Sequence, residues 1–370
     1  MSIEDQLPRT IAEQVERVPP PLPDMAVVRR RGQAIRRRRA LAVGAAAAVV
    51  VSGGFMLAQG GGGAQFRPDG PQQFDPVGQL DYSQGLRAFA SPDDDGQISL
   101  GGRLFPRKDM SYLDTDATAT PYGVVFFDSA AQAHLLDETG KDTTLAPAPA
   151  GIHAHFRPSS KADAKLPLVA FTQPGGEAVT VVLHDLRAGR VVDTMSVPCS
   201  GSACREVVVD AVDRGLVFVR TGDGTYVWDH GVTGKARWTL VGEGEFRVAD
   251  ARNGRILWSH VAPTPASNSP VADWAFTEGE IDAQLSFDGG HVLYWSPKLE
   301  PTTPDGQAIT LEVKNAIWFT FDTDGSVLAA ANGGPSVGVF YDCEIPSGSC
   351  TEIGEISTRS GDPMFIGNDM

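Results

Sequence analysis

Cysteine is scarce in this chain, with four residues among 370, and no pair has the C-x₂₋₄-C spacing that zinc sites favour. This absence disfavours a structural zinc module. The cysteines instead form two close pairs, Cys199 with Cys204 and Cys343 with Cys350. We expect two local disulfides, with reduced thiols as the alternative. Disulfides persist in oxidising compartments, so this pattern favours a location outside the cytoplasm.

Charged and amide side chains are absent from Ala40 to Ala58. Nineteen residues at about 1.5 Å each span the ~30 Å hydrocarbon core of a bilayer, so residues 40–58 are predicted to form one transmembrane helix. A cleaved secretory signal is the alternative, but its apolar region is usually about 7–15 residues behind a short basic start. The pair Arg38-Arg39 resembles a twin-arginine export signal, although Ala-Leu-Ala follows it in place of larger residues.

Positive charge is confined largely to one side of this span. Residues 1–39 hold nine Arg against five Asp+Glu, a net +4, whereas residues 59–370 hold 22 Lys+Arg against 41 Asp+Glu, a net −19. Because positively charged flanks stay in the cytoplasm, the N-terminus is predicted to be cytoplasmic and the remainder extracytoplasmic. The strong negative charge disfavours nucleic acid as a partner of the exterior part.

The cytoplasmic tail, residues 1–39, contains one short amphipathic pattern. Leu7, Ile11, Val15 and Val18 fall on one face of a helix that the prolines at 19–21 end. A helix of about three turns is marginal alone in water, so we expect this face to bind a cytoplasmic protein. An unstructured tail that only directs topology is the alternative.

Helical periodicity is nearly absent beyond the Gly- and Pro-rich linker at 59–78. Residues 79–370 instead show short apolar runs such as GVVFFD, GLVFVR and VGVFYD, separated by Gly, Asp and Asn turns. Turn glycines recur at 215, 254, 289 and 325, at spacings of 39, 35 and 36 residues. A period of this length that holds several short strands is typical of β-propeller blades.

Six blades can be counted in this pattern. Their predicted bounds are 112–150, 151–198, 205–241, 244–280, 281–313 and 316–358. Two strand-like segments remain, 97–106 before the first blade and 362–369 after the last. We expect these ends to share one sheet and close the ring, giving seven four-stranded blades, with six as the alternative.

The repeat and its Trp228-Asp229 dipeptide resemble the WD40- and TolB-like β-propellers. The whole layout resembles single-pass actinobacterial membrane proteins, some of them encoded beside extracytoplasmic-function sigma factors. This resemblance implies an all-β propeller and suggests a sigma factor as partner of the tail. The tail lacks the His and Cys residues of zinc-type anti-sigma domains, and the Gly-His that opens WD40 repeats is missing. No active site is carried over.

Catalytic and metal-binding signals are weak. Residues 334–338 match G-x-S-x-G, but a strand pattern follows them where the nucleophile elbow requires a helix. His153 and His155 could share a strand face without a third ligand. Residues 93–96 and 322–325 resemble calcium loops but lack EF-hand spacing, and D-G is a common hairpin turn. We expect no catalytic, cofactor or metal site.

Two classes of function remain. The first is a non-enzymatic sensor or scaffold whose propeller binds an envelope protein, a peptide or a glycan. The second is an exported hydrolase or lyase that uses the central funnel of the propeller. Several carboxylates or histidines converging within hydrogen-bond reach in that funnel would favour the enzyme.

Overall fold

The computed structural model describes fourteen stretches of the chain, namely 85–91, 97–107, 117–147, 149, 156–175, 177–244, 247–259, 269–279, 283–294, 300–303, 307–314, 316–334, 337–357 and 364–365. All belong to the compact unit Arg67–Met370. The predicted tail (1–39), transmembrane span (40–58) and linker (59–78) lie outside these stretches. Within them, no helix has the length and apolar character needed to cross a bilayer.

Twenty-six strands form seven sheets in the described part of the chain. Five sheets have four strands, in the ladder orders β4 (Thr118–Thr120), β5 (Gly123–Phe127), β6 (Ala133–Leu136), β7 (Asp142–Thr144) for blade 1; β8 (Ser160–Ala162), β9 (Leu168–Pro174), β10 (Ala178–Asp185), β11 (Arg190–Pro198) for blade 2; β12 (Val208–Asp213), β13 (Leu216–Thr221), β14 (Gly224–Asp229), β15 (Trp238–Glu243) for blade 3; β22 (Ala316–Phe321), β23 (Val327–Gly334), β24 (Val337–Cys343), β25 (Cys350–Ser357) for blade 6; and β26 (Met364–Phe365), β1 (Phe89–Ser91), β2 (Gln97–Leu100), β3 (Arg103–Pro106) for the closing blade. Two sheets show three strands, β16 (Arg247–Arg252), β17 (Arg255–Ser259), β18 (Ala275–Gly279) in blade 4 and β19 (Gln284–Leu285), β20 (Val292–Tyr294), β21 (Glu300–Thr302) in blade 5. Two 3-10 turns, Gly201–Glu206 and Gly234–Arg237, lie before β12 and before β15.

The sheets form a ring around a common axis. First strands of successive blades contact one another in the order β4, β8, β12, β16, β19, β22 and β26, which places these strands innermost. The ring closes where β26 pairs with β1, Ala90 opposite Met364. The rings of Phe89 and Phe340 also stack at 3.8 Å between the closing blade and blade 6. The prediction of a seven-bladed propeller closed by both ends of the repeat region is confirmed.

The hydrophobic core lies between the blades. Both faces of a blade pack on neighbours, so every residue of β5 and β9 is buried and these strands read as continuous apolar runs. The outer strand β11 instead alternates exposed and half-buried residues over most of its length. Trp228 and Trp258 are fully buried, the first in the cluster between blades 2 and 3 and the second in the cluster between blades 3 and 4. Both tryptophans therefore pack between blades.

The periodic glycines occupy equivalent hairpin turns. Gly215, Gly254, Gly289 and Gly325 each lie between the first and second strands of a blade, with φ of +78°, +78°, +71° and +91°. This left-handed region is open to glycine at little cost. The repeat in the sequence therefore comes from a repeated backbone conformation.

Blade 4 departs from the regular antiparallel pattern. β17 pairs antiparallel with β16 but parallel with β18, with Arg255 opposite Ala275 and Ser259 opposite Gly279. A parallel neighbour requires the chain to return to the same end of the sheet before it pairs. The connection between these strands, 260–274, is accordingly much longer than a hairpin turn.

Candidate functional site

A cavity lies on the ring axis and receives residues from six of the seven blades. Its non-atom space, including solvent at its mouth, is about 450 Å³. The first strands supply Thr118, Lys161, Arg252, Gln284 and Thr320 to its lining. Since these residues are scattered through five repeats, only closure of the ring brings them together.

Arg252 is the most constrained cation in the cavity. It ends β16 and is 8% exposed. Its Nη1 donates to the carbonyl oxygen of Ala162 at 2.9 Å, and its Nε lies 3.4 Å from Asp250 Oδ1. The guanidinium carbon lies 4.8 Å from the ring centre of Phe287, a cation–π distance. Nη2 makes no hydrogen bond with any described residue, although a guanidinium offers five N–H donors.

Gln284 presents a second set of donors. Its Oε1 accepts hydrogen bonds from Thr320 Oγ1 at 3.0 Å and from the backbone N–H of Phe321 at 3.2 Å. Two donors on this atom identify it as the carbonyl oxygen and fix the orientation of the amide. Nε2 therefore points away from these partners, and it has no hydrogen-bond acceptor among the residues that the structure describes.

Lys161 adds a second buried cation. It lies at the centre of β8, opposite Ala170 of β9, and is 8% exposed. Buried lysines are uncommon because the ammonium loses much of its hydration. Together with Arg252, it gives the lining two positive charges.

The carboxylate in this lining is held by backbone N–H groups. Asp322 accepts from Leu86 at 2.9 Å, from Arg87 at 2.8 Å and from Thr323 at 2.7 Å. Burial raises the pKa of Asp322, and these backbone hydrogen bonds oppose the rise. Asp250, beside Arg252, likewise accepts from two backbone N–H groups, at 2.8 and 3.0 Å. Both carboxylates are therefore already occupied as acceptors.

Similar aspartates join consecutive blades. Asp163 of blade 2 accepts from the N–H of Gly215 in blade 3 at 2.8 Å. Asp213 of blade 3 accepts from Asn253 at 3.0 Å and Gly254 at 2.7 Å, in the turn of blade 4. The Asp322 contacts repeat this arrangement between blade 6 and the segment before β1. Sequence reasoning missed this role, although aspartates precede the turn glycines at 213 and 322.

The region 322–325, considered above as a calcium loop, is thus a β-hairpin turn whose first aspartate holds the next blade. In the described part of the chain, no three His, Cys, Asp or Glu side chains form a group that could hold a metal ion. The G-x-S-x-G match falls between β23 and β24, two paired strands, and lacks the helix of a nucleophile elbow. His153, His155 and residues 93–96 lie outside the described residues.

Both expected disulfides are present. Cys199 and Cys204 are joined across the 3-10 turn between blades 2 and 3, with a Cα–Cα distance of 5.1 Å. Cys343 ends β24 and Cys350 opens β25, and the bond clamps this hairpin with a Cα–Cα distance of 4.0 Å. Both lie far along the chain from the tail residues Leu7, Ile11, Val15 and Val18, which fall outside the described stretches.

No protein-family model matches the chain, and no curated protein matches it in sequence. Solved structures with similar folds include TolB from Acinetobacter baumannii, at 12% identity and a TM-score of 0.38, with 75% of this chain and 64% of TolB covered. The β-propeller domain of the Trilobed protease from Pyrococcus furiosus matches at 16% identity and a TM-score of 0.29, covering 70% of this chain and 73% of that domain. PorZ from Porphyromonas gingivalis matches at 11% identity and a TM-score of 0.35, covering 76% and 39%. At these values the likeness concerns the fold alone.

Proposed function

We propose that this protein is a membrane-anchored, extracytoplasmic β-propeller that binds a component of the cell envelope without transforming it. Residues 40–58 anchor the chain, and the central cavity is its binding site. The observation that carries this proposal is the division of labour in the cavity. Donor groups of Arg252 and Gln284 face it without protein partners among the described residues, while its carboxylates bond to backbone N–H groups.

This arrangement favours binding over hydrolysis or elimination. A general base needs an acceptor free to take a proton from the substrate or from water. The oxygens of Asp322 and Asp250 accept backbone hydrogen bonds, and no histidine is present among the described residues that line the cavity. Protein donors without partners, in contrast, gain hydrogen bonds when a ligand enters.

The compartment is supported by three features of the chain. The disulfides Cys199–Cys204 and Cys343–Cys350 are typical of oxidising surroundings. The arginine-rich flank before residue 40 favours a cytoplasmic N-terminus. The net charge of −19 over 59–370 favours solubility of the exterior part.

In vivo photo-crosslinking tests this function. A photoreactive phenylalanine analogue at Phe287, which lines the cavity, is compared with the same analogue at Val192 on the exposed outer strand β11. We expect a discrete envelope product from position 287 that position 192 does not give. Crosslinks only to cytoplasmic proteins, or turnover of the crosslinked ligand by the purified chain, would contradict the proposal.

The cytoplasmic tail is proposed to bind a protein partner, with a sigma factor as the specific candidate. Support comes from the stripe of Leu7, Ile11, Val15 and Val18. A pull-down with residues 1–39 should lose its specific partner when Ile11→Asp and Val15→Asp are introduced. Recovery of the same proteins by both peptides would leave the tail only as a topogenic flank.

A further inference from the structure

We propose that the ligand of the central cavity is recognised through a carboxylate group. This inference rests on the proposed binding function and assigns the chemical class of the ligand. The cavity contains Arg252, Gln284 and Lys161, drawn from blades 4, 5 and 2. All three offer N–H donors, which is the chemistry that an oxyanion requires.

Arg252 can bind the group with two parallel hydrogen bonds. Its Nε faces Asp250 at 3.4 Å, and one hydrogen of Nη1 is used by Ala162. The remaining N–H groups are the second of Nη1 and the two of Nη2. Adjacent N–H groups on Nη1 and Nη2 match the two oxygens of a planar carboxylate. The stacking of the guanidinium on Phe287 and its bond to Ala162 fix this edge in place before the ligand arrives.

The cavity also selects against cationic and neutral acceptor-poor ligands. Asp322 and Asp250, the carboxylates nearest these donors, both accept backbone hydrogen bonds. A ligand donor that entered would have to displace one of these bonds. A ligand acceptor meets the two free donors of Gln284 Nε2, whose orientation Thr320 and Phe321 determine.

Charge balance favours a carboxylate over a phosphate. The cations are Arg252 and Lys161, and Asp250 already offsets part of the charge of Arg252. Asp322 adds a negative charge to the same lining. A singly charged ligand is better matched to this balance than a phosphate of nearly two charges, because excess buried charge is costly.

Binding of two matched probe pairs to the full-length chain in nonionic detergent tests the assignment. The pairs are galacturonate with galactose, and N-acetylglycine with its amide, followed by ligand-observed NMR titration; inorganic phosphate is the fifth probe. These arms separate a sugar acid from a peptide carboxylate. We expect the carboxylate member of at least one pair to bind about tenfold or more tightly than its neutral partner, as charge-assisted hydrogen bonds require.

Two variants locate the site. Gln284→Glu retains an oxygen for Thr320 and Phe321 but replaces the two donors with a negative charge, and Arg252→Gln removes the fork. Each should weaken carboxylate binding by about tenfold or more, whereas Arg247→Gln, on the exposed start of the same strand β16, should not. If Arg252→Gln fails to fold, Gln284→Glu alone decides.

Three results would overturn the inference: equal binding of charged and neutral partners, tighter binding of phosphate, or carboxylate affinity unchanged in Gln284→Glu. Absence of binding by all five probes would overturn it as well. These failures differ from failure of the proposed function, since a photo-crosslink from position 287 to a neutral envelope component would preserve the binding role while removing the carboxylate.

Discussion

His184 should make the propeller less stable as the pH falls below neutrality. It lies near the end of β10 and is 1% exposed, on a strand that is almost wholly buried. Burial lowers the pKa of His184 from 6.5 to about 4, although the neighbouring charge of Asp185 acts in the opposite direction. The folded protein therefore retains a neutral imidazole at pH values where the unfolded chain binds a proton.

The sign and size follow from this difference. Because the folded pKa is depressed, the stabilisation is complete above pH 6.5 and is lost between pH 6.5 and about 4. A fall from 6.5 to about 4, at about 1.36 kcal/mol for each pH unit, gives roughly 3 kcal/mol. Typical domains are stable by about 5–15 kcal/mol, so this single side chain should account for a measurable part of acid sensitivity.

Urea unfolding of the oxidised protein at several pH values between 4 and 7, followed by tryptophan fluorescence, measures this contribution. His184→Gln and His184→Phe both remove the titrating group, one keeping polarity and the other keeping an aromatic ring. Both variants should lose about 3 kcal/mol less than the parent over this range, whatever their stability at pH 7. Parallel pH profiles for the parent and both variants would refute the buried neutral imidazole.

Three further predictions concern single residues. Asp213→Ala leaves two N–H groups of the blade 4 turn without their acceptor, so the free energy of unfolding should fall by about 2 kcal/mol or more in urea titrations. Gly123→Ala places a Cβ 2.0 Å from a backbone oxygen at φ +138° and should prevent stable folding, whereas Gly354→Ala meets nothing within 4 Å and should change the midpoint little. For His134, burial lowers the pKa, but the hydrogen bond and charge of Asp142, together with the charge of Asp128, outweigh it and raise the pKa. Its stabilisation is complete below pH 6.5 and is lost as pH rises through the raised value, so an NMR titration should show a midpoint above 6.5; a midpoint below it would contradict this.

The number and order of the blades could be predicted because the signal is local. The turn glycines at 215, 254, 289 and 325 need positive φ, and the strands beside them are apolar on both faces. Closure was also predicted, although β26 pairs with β1 at Phe89–Ser91 and reaches the segment 97–106 only through it. The short strand β1 was missed because three residues give too little periodicity to detect.

Strand direction in blade 4 was not predictable from the same signal. β18 has the composition of an ordinary outer strand, and alternation of side chains is identical for parallel and antiparallel neighbours. Only the length of the connection at 260–274 indicated a different path. Direction is thus decided by tertiary packing, where Trp258 stacks on Phe276 at 5.8 Å between rings.

The cavity itself could not be predicted, and the reason lies in how the blades are joined. Asp322 looked like a weak cation ligand because its sequence neighbours are turn residues, yet its oxygens bind the amides of Leu86 and Arg87, which lie more than 230 residues away. Bonding of this kind removes acceptors from the axis and leaves donors there. The donor-rich character of the cavity is therefore a consequence of the same aspartate contacts that join the blades. Weakening those contacts should alter ligand binding as well as stability.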